Sequence, residues 1–350
     1  MGRETGHGTR MTLCRREPAW FTHRMPFDSA TPDPATSASA AALASPTLVR
    51  TLIADQFPHW ADLPVRAVDA SGTANAVYRL GDDKAVRLPR TEGSAADVAT
   101  EHRWLPRLAP QLPVPVPAPL AQGVPAEDFP RPWSVCTWLE GTNPAPGTGT
   151  WAPELFAADL AEFVLALRRI DPTDGPPAYR SEALADRDAV TRKVIAELDG
   201  VLDAEAATAA WDEALSAPAF TGAPVWVHGD LQPGNVLVED GRLTGVIDFA
   251  CMGLADPAVD LIAAWYLLPA GAGETFRTAV EADEATWERG RGWALSIAVM
   301  ELAAYRESNP VMARNAWWVI EGILARGMGR DGGSPMNGGE LTPRELGCQP

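Results

Sequence analysis

The chain has 350 residues, of which 46% are hydrophobic and 21% are charged, so it can bury a sizeable core and has a globular composition. Its formal net charge of −17 argues against nucleic acid and anionic membrane surfaces as partners. This acidity would suit a cationic ligand, although many proteins are acidic for solubility alone. Four widely separated cysteines form no CxxC pair, which argues against a zinc site or a disulfide framework and favours a reducing, cytoplasmic location.

The two ends of the chain differ in composition from the middle. Residues 1–44 are rich in Pro, Ala, Ser and Thr, and residues 329–350 are rich in Gly, so we expect both segments to be disordered. The most apolar run, residues 258–268, is interrupted by Asp260 and is too short to span a membrane. The N-terminus lacks the continuous apolar region of a signal peptide. We therefore expect no membrane insertion and no secretion.

Residues 45–138 combine short strands with one helix. The helix is predicted over residues 94–108, where Ser94 followed by Asp97 three positions later is typical of a capping box. Alternating apolar residues and Gly-containing turns predict the strands. These strands are expected at residues 64–70, 74–80, 84–88, 118–123 and 133–137. The pattern indicates a small β-rich lobe.

Beyond this lobe, the loop-rich residues 139–150 form a predicted connector, and residues 151–328 are mainly helical. A β insert is expected at residues 225–249. The helices are predicted at residues 153–169, 181–202, 205–215, 257–268 and 286–327, the last with interruptions. The sequence therefore predicts an α+β protein of two lobes, β-rich and helical, with a cleft between them.

The most informative segment reads HGDLQPGNVLVEDGRLTGVIDF and begins at His228. Its Asp-Gly pair between two apolar runs predicts a two-residue hairpin turn. That turn would pair Asn235 with Val246 and leave Asn235 and Asp248 on one face as diagonal neighbours, roughly 7–8 Å apart. A bulge would shift this register by one residue and separate the two side chains.

Three polar residues of this segment fit the requirements of phosphoryl transfer. Such a reaction needs neutralised phosphate charge, an in-line attack and a group that accepts the hydroxyl proton. Asn235 and Asp248 could hold Mg²⁺, which takes few protein oxygens and completes its shell with phosphates and water. Asp230 lies in the loop at the same end of the hairpin and could accept the proton. An isolated Asp or Asn in such a loop commonly only caps local backbone, but the ordered set of three favours catalysis.

The segment resembles the catalytic and metal-binding loops of the aminoglycoside phosphotransferase family, distant relatives of the protein kinases. The resemblance matches Asp230 to the catalytic aspartate, Asn235 to a metal ligand and Asp248 to the metal-binding aspartate of the Asp-Phe-Gly motif. It covers residues 46–328 and implies a protein-kinase-like fold with a cleft for ATP or GTP and Mg²⁺. Gly229 stands where protein kinases have an arginine that can pair with a phosphorylated loop, so the resemblance implies a small-molecule enzyme without that switch.

In the first lobe, Arg87 occupies the third-strand position where kinases have the lysine that holds the nucleotide phosphates. Glu101 falls on the apolar stripe of the predicted helix, and a carboxylate facing the core needs a partner. Arg87 is the obvious candidate, and the resemblance predicts this pair. The alternative is that Arg87 is a surface residue and that Lys84 or Arg90 contacts phosphate.

By position, the resemblance implies further groups around the nucleotide. The loop that contains Thr73 matches the family's nucleotide loop, and backbone groups of the connector around Thr137 and Leu139 would face the purine. The resemblance also likens Asp260 to an aspartate that braces the catalytic loop, and His228 to a histidine that orders it.

We therefore predict a nucleotide- and Mg²⁺-dependent kinase that moves the γ-phosphate to a hydroxyl of a small molecule, with an aminoglycoside as the leading candidate. A macrolide, a choline-like amine or a sugar is an alternative acceptor, and Glu301 is a candidate residue of the acceptor pocket. A pseudokinase that only binds nucleotide is a further alternative, although the complete set of Asp230, Asn235 and Asp248 argues against it. The sequence leaves open ATP or GTP, and a monomer or a homodimer.

Overall fold

The structure, a computed structural model, describes residues 45–68, 74–145, 152–269 and 271–327. Our expectations for residues 1–44, for Thr73, for residues 146–150 of the connector and for residues 329–350 lie outside the described residues.

The N-terminal lobe is built on an antiparallel sheet of five strands in the order β1-β2-β3-β5-β4. All five predicted strands are present, and β1 is shorter than expected. The strands are β1 (Val65–Ala67), β2 (Asn75–Leu80), β3 (Lys84–Pro89), β4 (Pro119–Gly123) and β5 (Trp133–Thr137).

Two helices, α1 (Pro46–Gln56) and α2 (Glu92–Leu108), belong to this lobe. Helix α2 begins earlier than predicted, because Thr91 rather than Ser94 caps it. The Thr91 hydroxyl oxygen accepts the backbone N–H of Ser94 at 3.2 Å and thereby satisfies one of the helix's unpaired donors. The core of the lobe consists of apolar residues from α1 and the sheet, with the fully buried Trp133 on β5 among them.

The C-terminal lobe is mainly helical, as predicted, but two of the expected helices are divided. A 3₁₀ turn, Leu184–Arg187, precedes a short helix where one long helix was expected over residues 181–202. The interruption that was expected in the last helix falls before Pro310, because the residue before a proline disfavours helical backbone. The segment Pro257–Ile262 is also a 3₁₀ helix. The helices are α3 (Pro153–Arg169), α4 (Asp188–Glu197), α5 (Ala204–Ser216), α6 (Ala263–Tyr266), α7 (Ala272–Ala279), α8 (Glu284–Tyr305) and α9 (Pro310–Gly327).

Helix α8 forms the centre of this lobe. Residues from Trp287 to Leu302 are buried on almost every side, and the buried Arg289 and Arg291 are paired with carboxylates. It packs against α4, α5, α9 and the 3₁₀ segment Pro257–Ile262. None of the helices in the described ranges is long and apolar enough to cross a membrane.

Two small antiparallel sheets in the helical lobe carry the sequence motif. Strand β6 (Val225–Val227) pairs with β9 (Gly253–Ala255), and β7 (Val236–Glu239) pairs with β8 (Arg242–Val246). The predicted hairpin turn is confirmed, since both of its central residues have positive φ.

The predicted hairpin register is right near the turn and wrong beyond it. Glu239 pairs with Arg242 as predicted, but a bulge beside Val238 shifts the remaining pairs by one residue. The bulge occurs where backbone groups of Val238 bond outside the hairpin, to Thr142. Asn235 therefore lies opposite Ile247 rather than Val246, and its carbonyl oxygen accepts the Ile247 N–H at 2.8 Å. The hairpin register thus does not make Asn235 and Asp248 the diagonal neighbours that were predicted, and the left-handed backbone of Asp248 takes this residue out of the strand alternation.

We expect Gly123→Ala to destabilise the N-terminal lobe through a steric clash. A Cβ at Gly123 would lie 1.9 Å from Cε2 of Trp133, and this buried ring has no space to move into. The expected loss in the free energy of unfolding is about 1–3 kcal/mol, measured by urea denaturation. Gly93→Ala in α2, whose added Cβ meets nothing nearer than 3.7 Å, is the matched control and should stabilise by about 0.4–1 kcal/mol. Equal changes in the free energy of unfolding for the two variants would contradict a steric clash with Trp133.

Candidate active site

Asp230 lies in the loop between β6 and β7, and the residue before it shapes that loop. Gly229 has a left-handed backbone with a φ of +82°, and a Cβ added there would lie 2.6 Å from the carbonyl oxygen of Cys251. No residue with a side chain fits this space without a backbone shift. The arginine that protein kinases have at this position is therefore sterically excluded.

Two buried side chains hold the loop by its backbone. The Asp260 carboxylate accepts the N–H of His228 at 2.9 Å and that of Gly229 at 2.8 Å. His228 accepts the Asp230 N–H on Nδ1 at 3.2 Å, so its proton lies on Nε2, which donates to the carbonyl oxygen of Ile247 at 3.1 Å. The predictions that Asp260 braces this loop and that His228 orders it are confirmed by these bonds.

Three side chains contact the Asp230 carboxylate. Its Oδ1 lies 3.1 Å from Nε2 of Gln232 and 3.1 Å from Nη1 of Arg180, while its Oδ2 accepts a hydrogen bond of 2.8 Å from Nδ2 of Asn235. A carboxylate oxygen offers about two acceptor positions, so Oδ2 keeps one for a further donor. The Asp230 side chain is 25% exposed, which leaves part of it accessible to solvent.

Arg180 is a site residue that the sequence analysis missed. Its guanidinium, only 12% exposed, contacts the Asp230 carboxylate and donates to the Gly229 carbonyl oxygen. Burial disfavours its charge, but Asp230 together with other nearby groups, Glu301 among them, outweighs burial and raises the pKa of Arg180. It lies 49 residues before Gly229, in a segment without a recognisable motif, so no local pattern could have revealed this contact.

Asp248 lies two residues after the end of β8 and contacts the N-terminal lobe. It has a left-handed backbone with φ 61° and ψ 73°, an uncommon conformation for a residue other than Gly. Its Oδ1 accepts a hydrogen bond of 2.7 Å from Nη2 of Arg87. The other guanidinium nitrogen, Nη1, bonds both carboxylate oxygens of Glu101 at 2.7 Å. The predicted Arg87–Glu101 pair is therefore confirmed, and Asp248 is joined to it.

This pairing bears on the alternative placement of Arg87 at the surface, while the residue that contacts phosphate, Arg87, Lys84 or Arg90, remains a prediction. The Arg87 side chain is 14% exposed, so it is not a surface residue, and Lys84 is paired with Asp83 at 2.6 Å. Burial disfavours the charge of Arg87, but Glu101 and Asp248 outweigh it and raise the pKa of Arg87. The guanidinium therefore stays positively charged throughout the physiological range.

A third carboxyl group adds negative charge to the region around Arg87. Asp97 lies one helical turn before Glu101 on α2, and burial, with the charges of Glu101 and Asp248, raises the pKa of Asp97 to about 7. The acidic side chains of Asp97, Glu101 and Asp248 thus all interact with the Arg87 cation, Asp97 only through its charge. Such an excess of negative charge suits an additional cation.

Two side chains near these acidic residues offer oxygen atoms that fit Mg²⁺. The amide nitrogen of Asn235 donates to Asp230 twice, so the amide oxygen of Asn235 remains for a ligand. Asp248 contributes a carboxylate that is 35% exposed. No three His, Cys, Asp or Glu side chains of the described ranges converge on a metal position. Mg²⁺ does not need them, because it is usually held by one or two carboxylates together with substrate phosphates and water.

The remaining predicted residues lie near the junction of the lobes. Thr137 ends β5, pairs with Lys84, and has its N–H and its hydroxyl oxygen bonded to the backbone of Ala118. Leu139, two residues later, packs its side chain beside Gly245 of β8. The structure therefore places both residues where β5 meets the helical lobe, and their contact with a purine remains a prediction.

We expect Asp97→Asn to stabilise the folded protein at alkaline pH. The pKa of Asp97 is higher in the folded than in the unfolded chain, so the folded state binds more protons between about pH 4 and 7 and loses stability as the pH rises through this range. Removing the charge should increase the free energy of unfolding by about 1–2 kcal/mol at pH 8, allowing for the partial exposure of Asp97. The gain should be less than half as large at pH 5. Urea denaturation without Mg²⁺ measures both values.

The exposed Asp55→Asn on α1 is the control and should change stability at neither pH. A gain for Asp97→Asn that is equal at pH 5 and pH 8 would contradict the electrostatic explanation.

Comparison with known proteins places this geometry in a family. Residues 65–293 match the APH phosphotransferase enzyme family. The fold superposes on a GDP complex of wild-type aminoglycoside 2'-phosphotransferase-IIIa with a TM-score of 0.64 and 19% identity, over 81% of this chain and 99% of that chain. A GDP and kanamycin complex of an aminoglycoside phosphotransferase gives a TM-score of 0.62 and 20% identity, over 81% and 99% of the two chains.

A macrolide 2'-phosphotransferase from Brachybacterium faecium superposes with a TM-score of 0.53 and 22% identity, over 80% of this chain and 96% of that chain. A sequence comparison with curated proteins finds no match. At these identities the structural likeness concerns the fold, which is the predicted kinase-like arrangement of a β-rich lobe and a helical lobe. Together with the family match over most of the described residues, it shows that this chain belongs to the APH phosphotransferase enzyme family, whose members are small-molecule kinases.

Proposed function

We propose that this enzyme transfers the γ-phosphate of ATP or GTP to a hydroxyl group of a small molecule, with Asp230 as the catalytic base. The observation that carries the proposal is the hydrogen bonding of the Asp230 carboxylate. Two donors occupy its Oδ1, Asn235 occupies one position of its Oδ2, and one acceptor position on Oδ2 remains. A hydroxyl group of an acceptor is the kind of donor that this position suits.

In the proposed step, the acceptor hydroxyl donates its hydrogen bond to Oδ2 of Asp230. The hydroxyl oxygen attacks the γ-phosphorus, the bond from phosphorus to the β–γ bridging oxygen breaks, and the nucleoside diphosphate leaves with the bond's electron pair. The hydroxyl proton passes to Asp230 as the new P–O bond forms. Arg180 and Gln232 keep the carboxylate oriented during this transfer, since both contact Oδ1.

The cleft between the lobes is the proposed nucleotide site. Arg87, held in place by Glu101, would bind phosphate oxygens through its planar guanidinium. Backbone groups near Thr137 and Leu139 would face the purine, and the loop with Thr73 would cover the phosphates. When bound, Mg²⁺ would neutralise part of the phosphate charge, and the Asn235 amide oxygen and the Asp248 carboxylate would hold it.

We propose an aminoglycoside as the leading acceptor class. The fold neighbours include complexes with kanamycin, gentamicin and streptomycin, and the acidic chain would attract such polycations. A macrolide is the second candidate, because macrolide phosphotransferases are also neighbours. Two contacts favour it: Glu301 has both carboxylate oxygens bonded within the protein, and Arg180 brings a positive charge beside Asp230.

An acceptor screen with the wild type and Asp230→Asn tests the function. Purified enzyme, Mg²⁺ and ATP or GTP are incubated with aminoglycosides, macrolides and hydroxylated metabolites, and product masses are read. We expect the wild type to add one phosphate to an acceptor. Asp230→Asn should lower kcat by about 10²–10⁴-fold, because a positioned base contributes that much, while nucleotide affinity changes less than about twofold.

The exposed Asp199→Asn is the matched control and should retain wild-type activity. An Asp230→Asn enzyme with more than about one per cent of wild-type kcat would refute the role of the base. Nucleotide binding without transfer to any acceptor would favour a nucleotide-binding module.

A further inference from the structure

A hydrogen-bonded chain of side chains reaches Asp230 from the centre of the helical lobe. The amide nitrogen of Gln232 donates to Oδ1 of Asp230 at 3.1 Å and to Oε1 of Glu301, on α8, at 2.7 Å. The hydroxyl of Tyr266, on α6, donates to Oε2 of Glu301 at 2.7 Å. Both oxygens of Glu301 are therefore bonded, and a single amide nitrogen lies between two carboxylates.

This arrangement depends on the charge of Glu301. An amide nitrogen carries two hydrogens, and here the two acceptors Glu301 and Asp230 use both. If the Gln232 amide turned over, its oxygen would face the two carboxylates and repel them. An ionised Glu301 therefore selects the orientation of Gln232 in which the amide nitrogen faces Asp230. The helix that carries Glu301 is largely buried, so Glu301 is attached to a well-packed element.

We propose that Glu301 is a positioning residue for phosphoryl transfer: through Gln232 it fixes the Asp230 carboxylate so that Oδ2 is presented to the acceptor hydroxyl. Glu301 itself touches neither nucleotide nor acceptor in this arrangement. The inference rests on the proposed function of Asp230 and adds a residue on which the geometry of that base depends.

The charged and titratable groups that face Glu301 come from every element around it. Tyr266 faces it from α6, Asp230 from the catalytic loop and Arg180 from the segment before α4, while Gln232 contributes a neutral amide. Burial raises the pKa of Glu301 to about 7, and the charge of Asp230 adds to this, while Tyr266, Gln232 and Arg180 act in the opposite direction.

Because the pKa of Glu301 lies near neutral pH, its positioning role should be measurable as a pH dependence of kcat. Glu301 is ionised above about pH 7 and accepts both hydrogen bonds there. As the pH falls through this value, protonation of Glu301 removes the negative charge that strengthens its hydrogen bond with the Gln232 amide, so Gln232 is held less firmly. The value of kcat should therefore fall along a limb near pH 7 to which Glu301 contributes. Asp97, whose pKa is also about 7, can contribute separately, and only the Glu301 part should respond to substitutions at Glu301 and Tyr266.

The test measures kcat and KM from pH 6 to pH 9 with the acceptor that the wild type phosphorylates. Glu301→Gln should lower kcat at pH 8 by about 10- to 100-fold, leave KM for Mg-nucleotide within about twofold, and weaken the limb near pH 7 by the contribution of Glu301. Tyr266→Phe removes a bond that lowers the pKa of Glu301, so its limb should move to higher pH. A purely structural role of Glu301 would not shift the limb in either variant.

A double variant tests whether Glu301 acts through Gln232. Gln232→Met keeps the length of the side chain and removes the amide. It should lower kcat by about the same factor as Glu301→Gln. The double variant should then lose no more kcat than either single variant, because both substitutions break the same connection between Gln232 and Glu301. Glu307→Gln, an 80% exposed carboxylate just beyond the same helix, is the matched control and should retain wild-type kinetics.

The outcomes separate this inference from the proposed function. If Asp230→Asn loses transfer while Glu301→Gln keeps both its kcat and the limb near pH 7, the positioning role is wrong and the base remains. Full additivity in the double variant would also overturn it. If Asp230→Asn keeps transfer, the proposed function itself fails. Should Glu301→Gln not fold, the direction in which Tyr266→Phe moves the limb decides the question.

Discussion

The site depends most on one ion-paired guanidinium, that of Arg87. It is almost fully buried on a strand of the N-terminal lobe and contacts Glu101 on the lobe's helix and Asp248 of the helical lobe, with each N–O distance 2.7 Å. A buried charge without partners is very costly, so all three groups must stay together when no ligand is present. The same contacts fix β3, α2 and the loop after β8 relative to one another, and they determine where a nucleotide phosphate could bind.

The catalytic loop is held in a different way, by its backbone rather than by an ion pair. Gly229 has a conformation and a neighbour that exclude any side chain, and Asp260 and His228 bond the N–H groups around it. The loop therefore needs no phosphorylated partner to reach its shape. Arg180 supplies, from a distant segment, the cation that contacts Asp230. This preorganisation is what a constitutively active small-molecule kinase requires.

The lobes, all five strands of the first sheet and the Arg87–Glu101 pair could be predicted from the sequence, because periodicity, turn residues and a charged residue on an apolar helix face are local signals. The hairpin register could not, since the bulge arises where Val238 bonds to Thr142, far away in the chain. Arg180 and the Gln232–Glu301 bond were missed for the same reason. The helix start at Thr91 was missed because Ser94 offered an equally plausible cap. The roles of Asp230, Asn235 and Asp248 remain predictions supported by their geometry.

The most direct measurement is a crystal structure with Mg²⁺ and a non-hydrolysable analogue of ATP or GTP. Arg87 should keep its bonds to Glu101 and transfer its other nitrogen from Asp248 to a phosphate oxygen. The carboxylate of Asp248 and the amide oxygen of Asn235 should then bind the cation, with the γ-phosphate facing Oδ2 of Asp230. A nucleotide bound elsewhere, or a cation held without Asn235 and Asp248, would contradict the proposed phosphotransfer site.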